Sequence, residues 1–385
     1  MPTASRGYVV ALLLSLMALF STACHQRQTV APGYHEYAYV TNGKSNSVSV
    51  IDLLELKNVK TIVVGAGPTG IAVNPQRNEI YVANAESSNI SIIDAERNEV
   101  VGAIGVHSRP YFVSVSTDGK RAYVANSGSA NVSVIDIAKR TVIATIRVGG
   151  APGLAKVSPN GKLVVVSNRA DNTVSIIDTD KLAVRSTVNV CQQPQDIVIL
   201  PDSSKVFVAC PGSNQLASID LKTDKLLTLL DVGKLPIQLA LKPDGGELFV
   251  SNFEGNSFSF VETGTNEVGG TYLIGNNPVR GVVTSDNSLL YVSNFGSDNV
   301  SVYAIDEGRV IGAVQVGSHP DALALTPDEA HLLVVNSRSG DVAVIRTVKT
   351  RDNSKISADR ALVTLIPVGN QPNDIVIKAF QTGTK

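Results

Sequence analysis

The chain has 385 residues, a formal net charge of −1, 17% charged and 43% apolar residues, and no tryptophan. No long basic or acidic block is present, which excludes the electrostatic footprint of a nucleic-acid binder. So low a charged fraction fits strands buried on both faces between neighbouring sheets.

The first element is an export signal. Arg6 precedes the apolar run YVVALLLSLMALF, which is short and isolated for a membrane span. Small residues, Ser21-Thr22-Ala23, lead directly into Cys24. This resembles a bacterial lipoprotein signal, in which Cys24 becomes the lipidated first residue. Ser21 stands where such signals usually carry Leu, and ordinary secretory cleavage after Ala23 is the alternative. The polar stretch HQRQTVAPG then reads as a tether. The expected layout is a signal peptide over 1–23, a tether over 24–36, a folded domain over 37–380 and a tail over 381–385.

From Tyr39 onward the chain repeats. YVTN at Tyr39 to Asn42 returns in kindred form from Tyr81, Tyr123, Val165, Phe207, Phe249, Tyr291 and Leu333, at a constant interval of 42 residues. A fixed period of this length marks a repeat architecture and overrides a domain count based on length. Each unit reads as four β segments. A Pro-led apolar triplet comes first, then a turn such as SPNG or KPDG, then YVAN. A polar loop, the alternating VSVID, a charged turn and an outer strand such as VIATIRV complete it. Four strands in 40–45 residues is the pattern of a propeller blade.

YVTN, YVAN, YVSN and VSVID together resemble the YVTN family of β-propeller repeats, over the span from Tyr37 to Phe380. The fold expected is an all-β, single eight-bladed propeller, with seven blades as the alternative. The first unit lacks its inner strand, and one orphan inner strand, QPNDIVI, follows the last unit. Joining the two makes one mixed blade and removes an exposed edge.

In such a blade the second-to-third loop and the blade-to-blade loop share a face. The recurring Asn42, Asn84, Asn126, Asn168, Asn252, Asn294 and Asn336 end the second strands and are expected to bond backbone in turns. Function is expected where equivalent loop positions differ. The residues flanking the recurring Pro contribute Arg109, Tyr111, Gln193, Asn277, His319 and Asp321, with Arg280 nearby. The residue after the recurring Asn contributes Arg169, Phe253 and Phe295. These are the candidate binding residues around the central channel mouth, each weighed against a solvated loop position. The two Phe form either an exposed apolar patch or ordinary packing between blades.

One repeat departs twice. Cys191 replaces a loop Gly, and Cys210 replaces the strand-ending Asn of the same unit. A disulfide between them is expected, with two buried thiols as the alternative.

No CxxC, CxxCH, HExxH, GxSxG, Walker or EF-hand motif is present in the sequence. No catalytic residue, metal site or cofactor is therefore expected. The reading is a non-enzymatic, monomeric, exported or lipid-anchored scaffold that binds a protein, glycan or small molecule at its channel mouth. Its only membrane contact is through the lipid. The resemblance also implies enzyme-like alternatives. One is a lactone hydrolase, with Arg109 or Arg280 holding an anionic substrate and His319 or Asp321 as base. Another is a tetrapyrrole carrier with His107 or His319 on iron. A purely structural envelope module is the third alternative.

Overall fold

The computed structural model describes residues 31–347 and 361–382. The signal segment, Cys24 and most of the ten-residue excess between Arg346 and Leu362 lie outside the described residues. Residues 35–380 form one unit; residues 31–34 and 381–382 form another, in which the Thr382 amide donates to the Gly33 carbonyl at 2.8 Å.

The larger unit is an eight-bladed β-propeller of four-stranded sheets. We number the blades 1 to 8 in chain order. In blade 1 the C-terminal strand (Pro372–Gln381) lies innermost, beside the first strand of the chain (Tyr34–Asn42). That first strand starts at Tyr34, so residues 34–36, read from sequence as tether, belong to it. The rings of His35 and Tyr37 pack on Phe380 and explain the extension.

The second and third strands of each blade are almost wholly buried. In blade 3, Tyr123, Val124, Val132 and Val134 are at most 1% exposed. Alternation in VSVID therefore divides side chains between two neighbouring blades instead of between core and water. Eight apolar clusters result, one at each junction. Tyr123, Val132 and Val134 of blade 3 meet Val164 and Val166 of blade 4. Ala38, Val40 and Ile375 of blade 1 meet Leu333 and Val335 of blade 8, which closes the ring. Outer strands bury little more than one residue near their ends, such as Ile62, Ile104 and Ile146.

A turn Asp follows the third strand in most blades. Asp94 accepts from the amides of Glu96 and Arg97, and Asp220 from those of Lys222 and Thr223. These carboxylates cap turns.

Candidate functional site

Six inner strands carry a β-bulge just after their Pro. Pro68 pairs with Asn84 and Gly70 with Ala83, so Thr69 is the extra residue. The same shift recurs at Pro110, Pro236 and Pro320. A bulge re-aims side chains, and here residues one and two positions after the Pro both line the channel.

One or two side-chain hydrogen bonds pin each blade-to-blade loop. In blade 3 the Ser108 amide donates to Ser129 Oγ at 3.0 Å. In five blades the residue before the Pro is held by an Asn or Asp from the preceding blade. The Gln193 amide donates to Asn172 Oδ1, the Asn277 amide to Asn256 Oδ1 and the His319 amide to Asp298 Oδ1. That residue takes a left-handed backbone in every Pro-led blade, from Arg109 at φ 52° to Gln371 at φ 51°. Such geometry is uncommon for non-glycine residues and is sustained here by the loop bonds. The mouth is accordingly preorganised.

The recurring Asn corrects one sequence expectation. Its Nδ2 donates to side chains on the third strand of its own blade, as Asn126 Nδ2 does to Asn131 Oδ1 at 2.7 Å and Ser133 Oγ at 2.9 Å, and a loop backbone amide, that of Gly369, reaches the Oδ1 at Asn42. The antiparallel register brings both acceptors alongside. The loop Gly lies directly on this Asn. A Cβ at Gly149 would come within 2.7 Å of Asn168, and one at Gly233 within 2.4 Å of Asn252. In blade 5 that close contact is a covalent bond: Cys191 and Cys210 form a disulfide, with Cα atoms 5.6 Å apart.

At the centre of the loop face lies a cavity of about 320 Å³ to which all eight blades contribute. Six charged side chains line it: Lys156, Arg169 and Arg280 against Asp196, Asp321 and Asp374. Asp196 accepts from Lys156 Nζ at 3.1 Å, from its neighbour's Ile197 amide at 2.9 Å, and from the Leu239 amide of the next blade at 2.9 Å. Gln238 does likewise for Gly281 at 2.7 Å. Such side chains satisfy amides on the inner strand's channel-facing edge. Arg169 lies over the Tyr111 ring, its guanidinium carbon 4.9 Å from the centroid.

Arg280 and Asp321 differ from these. The buried Arg280 Nε has no hydrogen-bond partner. Burial acts against its charge, but Asp374, Asp196 and Asp321 outweigh this and hold its pKa above the ordinary value. Burial raises the pKa of Asp321, Arg280 opposes the rise, and Asp374 adds to it. Asp374 is also raised by burial, against the pull of Arg280 and amide bonds from Ile375 and Ile71.

The candidates divide by position. Tyr111, Arg169, Arg280 and Asp321 line the central cavity. Phe295, His319 and again Asp321 line a second, more open hollow of about 830 Å³ on the blade 8, 1 and 2 side. Phe295 is half-buried, stacks on His319 with centroids 4.1 Å apart, and lies 6.2 Å from Phe253. The two Phe thus form neither a fully exposed patch nor blade core. Arg109 and Gln193 are exposed on loop tops, and Asn277 donates to the Phe253 carbonyl at 3.2 Å; none of the three lines either cavity. Their left-handed backbone carries them away from the channel wall. The sequence reading passed over Lys156, Asp196, Gln238 and Asp374. Aligning repeats two positions beyond the Pro would have found three of them.

Partial matches to family models accompany this geometry. Residues 31–157 match the YNCE-like β-propeller, and residues 275–361 match the lactonase 7-bladed β-propeller. Both describe propellers, although this chain closes with eight blades. A search of curated proteins gives no match. Among solved structures, the chain is similar to Kuenenia stuttgartiensis hydrazine synthase, at 22% identity and TM-score 0.59, covering 73% of this chain and 96% of that one. It is similar to dihydro-heme d1 dehydrogenase NirN in complex with DHE, at 13% identity and TM-score 0.75, covering 88% and 74%. A functionally unknown protein from Desulfotomaculum acetoxidans aligns at 16% identity and TM-score 0.57, covering 80% and 98%. At these identities the likeness is one of fold.

Proposed function

We propose that this protein is a non-enzymatic, ligand-binding propeller of the cell envelope that holds a small polar ligand at the mouth of its central channel. The observation that carries the reading is the cavity itself, lined from all eight blades by fixed polar groups, among them Asp321 and an Arg280 whose Nε is unpaired. Pockets of this size with a few convergent polar groups are the usual form of small-molecule sites. In this reading residues 1–23 direct export, Cys24 carries lipid, residues 24 onward tether the domain, and the protein acts as a monomer.

The test is a thermal-shift screen of the purified full chain against diverse small polar metabolites. A hit lost in both Tyr111→Ala and Arg169→Ala supports the site. Hits indifferent to both variants, or no hit, would overturn it. Lactone hydrolysis with Asp321 as base is the enzymatic alternative, and proton release from sugar-acid lactones, followed at constant pH, distinguishes it.

A tetrapyrrole, suggested by the likeness to a protein solved with DHE, fits the residues less well. His107 is exposed, its Nε2 lying 3.2 Å from Thr145 Oγ1, and His319 stacks on Phe295 at the rim. Neither lines the central cavity.

A further inference from the structure

Three cations and three carboxylates line one cavity, and most of them are already committed. Lys156 is paired with Asp196. Asp196 and Asp374 hold backbone amides. Arg169 is spread over Tyr111. Two groups of opposite charge are left. The buried Arg280 Nε has no hydrogen-bond partner, and the half-buried Asp321 feels the charge of Arg280 without a close ion pair among the described residues.

A buried, unpaired donor such as the Arg280 Nε costs free energy unless the guanidinium gains a partner. A guanidinium fork is met best by a carboxylate, and a carboxylate by an ammonium. A simple anion would gain Arg280 but face three aspartates, and a simple cation would face the reverse. The lining is balanced, three charges against three. A ligand of zero net charge with separated poles satisfies both groups without disturbing that balance.

We propose that the central cavity binds a free α-amino acid as its zwitterion, with the α-carboxylate on Arg280 and the α-ammonium on Asp321. This rests on the reading of the cavity as a ligand site and names its ligand class. Asp321 also walls the open rim hollow, so the amino-acid side chain has room to extend toward Phe295 and His319.

Isothermal titration of the full chain with each of the twenty free amino acids tests it, alongside the N-acetyl and methyl-ester derivative of any binder. Saturable binding is expected, at least tenfold weaker for both derivatives and for Arg280→Gln and Asp321→Asn. Far-UV circular dichroism checks that each variant is folded; should either single variant misfold, the charge-balanced R280Q/D321N pair replaces it. Absence of binding by all twenty at 10 mM ligand, on the order of the weakest useful affinity, overturns the proposal. So does equal binding of the N-acetyl derivative. If other polar metabolites bind through Tyr111 and Arg169 while no amino acid does, this inference fails and the ligand-site reading stands. If nothing binds, both fail.

Discussion

Cys191 and Cys210 occupy the positions where six other blades place a Gly against an Asn, His107 standing for the Gly in blade 3. The third-strand Ser that accepts from Asn in most blades, such as Ser133, is Ala217 in blade 5. An Asn at 210 would therefore lack one acceptor, and the disulfide replaces a whole polar contact. Closing a loop of sequence separation 19 contributes roughly 3 kcal/mol in the chain-entropy model. Urea unfolding of Cys191→Ala/Cys210→Ala should show a loss of about that size. The triple change C191G/C210N/A217S, which rebuilds the Gly–Asn–Ser contact, should recover part of it. If the triple variant is no more stable than the double Ala variant, the equivalence of the two devices is wrong.

The inner strand is the element on which reading and structure diverge. Its Pro, its repeat and even its borrowed position in blade 1 were legible, because an orphan strand at one end matched a missing strand at the other. Its inward-facing residues were not. Strict alternation would send the residue after Pro and the next one to opposite faces. The bulge breaks that rule at Gln238, and Asp196 and Asp374, at the equivalent position two beyond the Pro, also line the channel unanticipated. That a loop residue such as Gln193 turns away from the channel follows from the left-handed φ it shares with its equivalents, which its identity does not reveal. The closing strand carries its own prediction. Ending the chain after Gly369 strips Ile375 and Phe380 from two blade junctions, at roughly 1.5–3 kcal/mol each. It also leaves the first strand without its inner neighbour. The truncated protein should show a sharply lower thermal midpoint and exposed-edge aggregation; unfolding like the full chain would refute closure as a stabilising feature.

For the whole molecule, acid and base act through two opposed sets of carboxylates. Turn aspartates are lowered, Asp136 and Asp178 chiefly by amide bonds and Asp118 chiefly by Ser116. Their stabilisation is present above the unfolded value and is lost as pH falls through the folded one. Asp321 and Asp374 are raised by burial, so they bind more protons folded than unfolded. Their contribution is greatest in acid and is lost as pH rises through the folded value. Asp321→Asn should therefore be more stable than the native chain at neutral pH, with the gap closing toward about pH 4, near the ordinary carboxylate value. Urea midpoints across that range measure it; a gap that is constant with pH would show that Asp321 is not destabilised when ionised. A site kept ready for a ligand at some cost to the fold is a familiar compromise.

The borrowed strand of blade 1 has a mechanical side. In that sheet the first strand of the chain lies second from the axis, between the C-terminal strand and the third strand (Ser47–Asp52). Had the ring closed without the borrowed strand, a pull on the amino end would peel an edge strand, breaking its ladder one bond at a time. Flanked on both sides, the same strand bears load through two ladders at once. A domain towed by its amino end would thus be gripped within a sheet and not at its margin.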